Sequence, residues 1–331
     1  MLKTGKLDSR LLEEIVFKNI TFKRPEVITR PGIGEDCAVV DFGSYECVMS
    51  TDPITAAVGE IGRLAVYISC NDIASNGVEP LGILLAVMLP EGTTEEQIEE
   101  LMKQAGQASE ELGVEIIGGH TEITPAVNKP VIVSTAIGRG AKWSSQQAEN
   151  MRPGDYILMT KQAAMEGTGI IAGDFRDELS GLLSEEEFRE AAEMLKKVSV
   201  VKEGVIAGKI GTAGMHDITE GGVLGAVWEM CDIAQTGAEV WVDQVPVAGV
   251  TKKICDRFDI DYLRLISSGS MMIMVHPEVR EQMERELESA GIPVACIGRI
   301  CQREEGVRMV VDGERIVIAP PASDELYKVV S

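Results

Sequence analysis

Five acidic side chains fall where a packed fold has little use for a charge. Asp36 follows the turn-rich stretch Gly32-Ile33-Gly34-Glu35. Asp52 ends a strand-like run, directly before Pro53. Asp72 takes the next place in an apolar helical stripe, four residues beyond Ile68. Glu122 follows a strand and the pair Gly118-Gly119. Asp217 stands between a glycine-rich segment and a helix start. A lone buried carboxylate is costly and protonates instead of staying charged. Several together become tolerable when they share divalent cations. Mg2+ suits such a site, because it takes one or two carboxylates plus waters and substrate phosphates. Glycines beside the acids let backbone N–H groups approach phosphate oxygens. Each residue also has a plain structural reading. Asp36 can cap a strand–turn junction, Asp52-Pro53 can be an ordinary turn, and Asp72 beside Asn71 can face a solvent channel. His120 reads as a satisfied loop histidine, and Thr219-Glu220-Gly221-Gly222 as a helix cap.

The elements that must position these acids follow from periodicity. Cys37–Val40 and Glu46–Ser50 read as two strands joined by a short spacer, with Pro53 ending the second. Residues 60–76 read as a helix, with Ile61, Leu64/Ala65 and Ile68 on one face and Gly77 as its stop. Leu81–Leu89 reads as a buried strand. Thr93-Thr94-Glu95-Glu96-Gln97 offers overlapping capping boxes for a helix that buries Ile98, Leu101, Ala105, Ala108 and Leu112. Val114–Ile117 and Val131–Ile137 are further strands. The first half, over roughly residues 36–138, thus reads as an alternation that opens β-β-α-β-α-β. The polar stretch Lys142–Arg152 reads as a linker. Beyond it lie a strand at Tyr156–Thr160, a glycine turn at Glu166-Gly167-Thr168-Gly169 and a capped helix at Ser184 with Glu187. A helix follows at about 222–235, then strands near Glu239–Val242, Met271–Val275, Val294–Ile297, Val307–Val311 and Arg315–Ile318. Two domains are expected, 1–145 and 153–331.

Composition agrees with this chemistry. The chain has 331 residues, 31 Lys+Arg against 53 Asp+Glu, and a formal net charge of −22. Such a balance argues against nucleic acid and anionic membrane as partners, since both call for basic surface. The hydrophobic fraction of 45% supports a real core. The longest apolar run, Ile83–Leu89, is far short of the ~18 residues of a spanning helix. Met1–Arg10 has no apolar signal region. Seven scattered cysteines with no C-x-x-C spacing favour a reduced, cytoplasmic protein. Cys37 and Cys47 read as small buried hydrophobes, and Met271-Met272-Ile273-Met274 as core. Lys161 could touch a phosphate or stand in solvent. No P-loop, dinucleotide fingerprint, nucleophile elbow or zinc-protease motif is present in the sequence.

In order, five blocks resemble one superfamily. They are Pro31-Gly32-Ile33-Gly34-Glu35-Asp36-Cys37-Ala38, Ser50-Thr51-Asp52-Pro53, Asn71-Asp72-Ile73-Ala74, Gly118-Gly119-His120-Thr121 and His216-Asp217-Ile218-Thr219-Glu220-Gly221-Gly222. The superfamily is that of aminoimidazole ribonucleotide (AIR) synthetase. It also holds thiamine-monophosphate kinase, selenophosphate synthetase and the hydrogenase-maturation protein HypE. The likeness to HypE is strongest, through Lys6-Leu7, Ile15-Val16-Phe17 and the block at 32–38. The resemblance implies an α/β fold. An N-terminal ferredoxin-type α/β domain would pair across a homodimer into a β-barrel, followed by a C-terminal α/β sandwich. It implies ATP and Mg2+, with phosphoryl transfer to an oxygen or amide-type acceptor. Asp36, Asp52, Asp72, Glu122 and Asp217 would hold metal, Asp52 and Asp72 at the centre of catalysis. Gly34, Asn71, Gly118, Gly119, Gly167, Thr168, Gly221 and Gly222 would lie along the nucleotide. Two departures stand out. HypE ends in a Pro-Arg-Ile-Cys tail whose cysteine accepts the carbamoyl group, whereas this sequence ends Glu325-Leu326-Tyr327-Lys328-Val329-Val330-Ser331. The kinases carry Asp where this chain has His120. The first cysteine, Cys37, argues against selenophosphate synthesis, and a missing Gly-x-Gly-Thr-Lys block argues against purine synthesis. The expectation is a HypE-like phosphotransfer enzyme with another acceptor. The alternatives are a nucleotide-binding maturation partner with little turnover and a small-molecule kinase like thiamine-monophosphate kinase.

Overall fold

The computed structural model describes residues 7, 9–55, 58–142, 144–146, 148–321 and 323–330. Lys6 and Ser331 lie outside the described residues. The chain divides into two compact units. One holds residues 24–31 and 35–145, and the other holds the described residues up to 23, residues 32–34 and those from 146 onward. The N-terminal stretch therefore belongs with the second unit rather than with the first domain expected for 1–145. Gly34 shows one reason. Its φ is +74°, and a Cβ there would lie 2.7 Å from Cδ1 of Ile233.

The strands are β1 (Val27–Thr29), β2 (Ala38–Asp41), β3 (Tyr45–Ile54), β4 (Pro80–Leu89), β5 (Glu115–Ile123), β6 (Val131–Ala141), β7 (Tyr156–Thr160), β8 (Gly214–Asp217), β9 (Gly237–Trp241), β10 (Met271–Val275), β11 (Val294–Cys301), β12 (Val307–Val311) and β13 (Glu314–Val317). The α-helices are α1 (Ser9–Leu11), α2 (Ile61–Ser75), α3 (Glu95–Leu112), α4 (Met165–Asp174), α5 (Arg176–Leu179), α6 (Glu185–Leu195), α7 (Val201–Ile210), α8 (Gly222–Ala234), α9 (Gly249–Phe258), α10 (Arg280–Ser289) and α11 (Tyr327–Val330).

The first unit is a six-stranded sheet in the order β1-β2-β3-β6-β4-β5. Only β4 and β5 run parallel, joined through α3. Of the offered capping boxes the structure uses Thr94 with Gln97, and Gly113 ends α3 in the left-handed conformation. One sheet face carries α2, whose residues are buried nearly all round. Such a helix is covered on every side, so the polar Asn71 and Asp72 within it need specific partners. The other face presents Met49, Val131, Val133, Ile137, Leu84, Ala86 and Met88, which the register aligns on one side. Leu84 there is 37% exposed.

The second unit is a seven-stranded sheet in the order β13-β12-β9-β11-β7-β10-β8. Alternate residues of β7 and β10 face opposite cores. Ile157, Met159, Met272 and Met274 pack with α8, while Leu158, Met271, Ile273 and Val275 pack towards α7 and α10. The methionine run is core, as read from the sequence. Ser184 and Glu187 form the expected capping box of α6. One reading needs correction: Glu166-Gly167-Thr168-Gly169 is not a turn but the opening of α4. Gly214–Asp217, inside the glycine-rich segment, forms a strand.

Candidate functional site

In the first unit, β3 and α2 bring two of the sequence-assigned acids together. Ser50 and Asp52 are two residues apart on β3, so both point to the α2 side of the sheet. Asp72 lies on α2. The hydroxyl of Ser50 donates to Asp72 Oδ2 at 2.5 Å and lies 3.4 Å from Asp52 Oδ2. Asp72 and Ser50 are buried, and Asp52 is half-buried. Two further contacts fix α2. The thiol of Cys37 donates to the carbonyl of Asp72 at 3.2 Å, and the Ser69 and Ser134 hydroxyls meet at 2.6 Å. Gly138 on β6 lets the helix settle, because a Cβ there would fall 2.4 Å from Cγ2 of Ile73. The pair offers hard oxygen ligands at the border of buried and open space, the donor type that suits Mg2+. Asn71 is fully buried, and its carbonyl accepts from Ser75 at 2.9 Å. Asp36 is half-buried, two residues before β2.

Glu122 is placed elsewhere. The register pairs Asp52 with Ser134, Ser134 with Leu85 and Leu85 with Gly119, three residues from Glu122. An odd separation along a strand puts Glu122 on the opposite sheet face. It is also three strands away, roughly 14 Å at ~4.8 Å per strand. Its carboxylate instead faces His120 at 3.4 Å, both exposed. Within one chain Glu122 does not join the Asp52–Asp72 pair. Gly118 and Gly119 on β5 are explained by close packing. A Cβ on Gly119 would lie 1.9 Å from the carbonyl oxygen of Leu85.

In the second unit Asp217 ends β8 and is fully buried, and its carbonyl accepts from His216 Nδ1 at 2.6 Å. Gly221 and Gly222 have φ of +87° and +62° and open α8. The N–H of Gly221 donates to Asp324 Oδ2 at 2.7 Å, and Asp324 Oδ1 accepts from Ile266 and Leu326. The helix-end donor assigned to phosphate is thus taken by the chain's own carboxylate. Gly167 packs against Leu265, and Thr168 shares a 2.8 Å hydrogen bond with Thr251, both hydroxyls buried. Lys161 is neither solvated nor free for phosphate. It pairs with buried Glu203 at 2.7 Å and donates to the carbonyls of Lys197 and Ser199.

Two acids escaped the sequence reading. Glu166 opens α4, and burial pushes its carboxyl up to about 7, helped by the charges of Asp324, Glu220 and Asp217 and opposed by a hydrogen bond from Ser268. Burial likewise raises Asp324 to about 6 against its three N–H donors. Tyr327, which donates to Glu220 at 2.8 Å, is raised by burial and by that carboxylate. The sequence around Glu166 has the composition of a turn, and nothing in the local pattern marks Asp324. The thiols of Cys296 and Cys301 lie on β11 and are both pushed up by burial.

A two-domain α/β chain with carboxylates at strand and helix ends has known counterparts. Residues 34–140 match the N-terminal domain, and residues 152–311 the C-terminal domain, of the AIR synthase related proteins. The chain belongs to that family. Among its relatives is a putative hydrogenase expression/formation protein of Methanocaldococcus jannaschii. That protein is 28% identical over 96% of this chain and 94% of its own length. The carbamoyl dehydratase HypE of Rhizobium leguminosarum is 27% identical over 86% of this chain and 83% of its own. A crystal structure of HypE in complex with ATP has the same fold, with a TM-score of 0.74 at 23% identity, over 98% of this chain and 97% of that one. Within the superfamily the likeness is thus to HypE.

Proposed function

We propose that this chain is an ATP- and Mg2+-dependent phosphotransfer enzyme of HypE type, which activates an oxygen or amide-type acceptor by phosphorylation. The observation that carries the proposal is the meeting of Asp52 and Asp72 at the Ser50 hydroxyl, 20 residues of sequence apart and from different elements. Two carboxylates sharing a neutral donor, one buried and one partly open, fit a hard cation that keeps other positions for waters and phosphate oxygens. Asp52 and Asp72 would hold the magnesium, which would neutralise charge on the transferring phosphoryl group. The chain's own part is positioning and charge compensation, as phosphoryl transfer generally requires. ATP as ligand is supported by the HypE relatives and by the fold shared with an ATP-bound HypE.

A homodimer belongs to this reading. The sheet face opposite α2 is apolar along β4 and β6, beside the Thr51–Thr135 and His120–Glu122 pairs, and is uncovered by helix in the described residues. Antiparallel sheets with one apolar open face bury it against a second layer. A second copy of the same face would supply that layer.

The test is ADP formation from Mg·ATP under single-turnover and multiple-turnover conditions. Asp52→Asn is expected to lower the rate by at least ~10²-fold, the usual scale for losing a partner of transition-state charge. An unchanged rate in that variant rejects the metal role. Tight ATP uptake with no ADP formed by the unsubstituted chain, whatever acceptor is added, rejects the enzyme reading in favour of a binding protein.

A further inference from the structure

The second unit carries a cleft that the proposed reaction leaves unused. It holds about 600 Å³ and is lined by Trp241, Asp243, Gln244, Arg280, Ala295 and Cys296. Its origin is a break in the sheet. β9 pairs with β11 from Cys301 back to Gly298 and ends at Trp241, where the chain turns away through Val242–Gln244. Val294, Ala295 and Cys296 are left with a strand partner on one side only, β7. The β11–β7 register also shifts between Cys296 and Gly298, a bulge of the kind that re-aims side chains beside binding sites.

Two of the lining groups are held in place from behind. The Trp241 Nε1–H donates to Glu239 Oε1 at 3.2 Å, and buried Glu239 is itself gripped by Arg315 at 2.9 Å and Arg299 at 3.5 Å. The Arg280 guanidinium lies 4.3 Å from the centre of the Tyr156 ring, and its Nε donates to Glu284 Oε1 at 2.9 Å. Groups fixed in this way lose little freedom when a ligand arrives. The volume is that of small-molecule sites, roughly 300–1,000 Å³. An indole offers a flat apolar wall to a planar group. A guanidinium with a fixed plane suits a carboxylate. Arg280 is the one cation among these lining residues. Asp243 is exposed beside Trp241 and accepts from the Gln244 amide at 2.9 Å. An acid there repels the anionic end of a ligand and leaves it to Arg280.

We propose that this cleft binds a small planar carboxylate, its ring against Trp241 and its carboxylate on Arg280. The site lies wholly in the second unit and does not depend on the Asp52–Asp72 pair.

The probe is naphthoate, titrated into the full chain by calorimetry, with naphthamide as its neutral counterpart of equal shape. Saturable uptake of about one naphthoate per chain is expected. Naphthamide should bind at least ~10-fold more weakly, the scale of a lost hydrogen bond to a charged group. Arg280→Gln is expected to weaken naphthoate by a similar factor and to leave naphthamide unchanged. The place of binding is read from Cys296, whose half-buried thiol lines the cleft. At about ten times Kd, naphthoate is expected to slow alkylation of Cys296 by iodoacetamide about tenfold. Cys47 of the first unit, also half-buried, should react as before. No saturable uptake overturns the proposal, as does equal affinity for naphthamide or equal affinity of the Arg280→Gln chain. Undiminished Cys296 alkylation at saturation overturns it by itself, even if Arg280→Gln fails to fold.

Discussion

At the scale of single residues, Ser50 decides whether two acids act as one site. Its hydroxyl lies between Asp52 and Asp72, donating to Asp72 and standing 3.4 Å from Asp52. Replacing it by alanine leaves both carboxylates in place and removes the group that orients them. Ser50→Ala is expected to weaken magnesium uptake about tenfold, as loss of a ligand-orienting partner typically does. Fold stability should change little, and calorimetric titration with MgCl2 checks both sides of that expectation. The two aspartates were legible in the sequence for different reasons. Asp72 broke an apolar stripe at a position the helix must bury, and Asp52 stood at a strand's end before a proline. The position of Ser50 between the two carboxylates was not legible, because a serine two places from an aspartate on a strand is ordinary. That position depends on where α2 crosses the sheet, which no local pattern records. Glu122 shows the converse. Its glycine-flanked position resembled a metal site, yet strand parity turns it to the far face.

At the scale of elements, the site depends on how closely α2 lies on β6. Gly138 permits that approach, since a side chain there would overlap Ile73, the neighbour of Asp72. Valine at 138 must lift the helix or bend the strand. Overpacking of this kind costs about 1–3 kcal/mol. Gly138→Val is therefore expected to lower the melting temperature by several degrees and to weaken magnesium uptake, although residue 138 touches no ligand. Unchanged uptake at a lowered melting temperature would show that the carboxylate pair survives displacement of α2. The first-unit helices and strands were largely readable, because capping boxes at Thr94 and a strict apolar stripe announce them. The start of α4 was not. Glu166-Gly167-Thr168-Gly169 has the composition of a turn, and only tertiary packing explains the glycines. Gly167 meets Leu265 and Gly169 meets Leu195. Glycine chosen for close helix packing looks, in a sequence, the same as glycine chosen for a loop. The same ambiguity covers Gly118-Gly119 on β5.

At the scale of the whole molecule, the proposed self-association and the pH response rest on surfaces and charges rather than on any motif. Val133→Asp puts a charge in the middle of the open sheet face and is expected to convert the chain to a monomer in sedimentation velocity. A monomeric unsubstituted chain would contradict the homodimer. The pH response has two opposed limbs. Glu26 and Glu187 are held at about 2 by hydrogen bonds from Arg24 and Lys253. Their contribution is fully present above the ordinary carboxylate value and is lost as pH falls from there through about 2. Glu166 and Asp324 are raised to about 7 and about 6. Between an unfolded value near 4 and these folded values, the folded chain holds more protons than the unfolded one. Stability therefore falls as pH rises through that window. The maximum is expected near pH 5 when a chelator keeps cations away. The net charge of −22 adds general repulsion on the alkaline side, so the melting curve alone does not single out Glu166. Glu166→Gln does. It removes the ionisation and keeps the shape, so in chelator it is expected to melt roughly 5 °C higher than the unsubstituted chain near pH 8. Near pH 3 the two should melt together, because Glu166 is then protonated in both the folded and the unfolded chain. A constant gap between the two chains across this range would mean that Glu166 acts through packing and not through its charge.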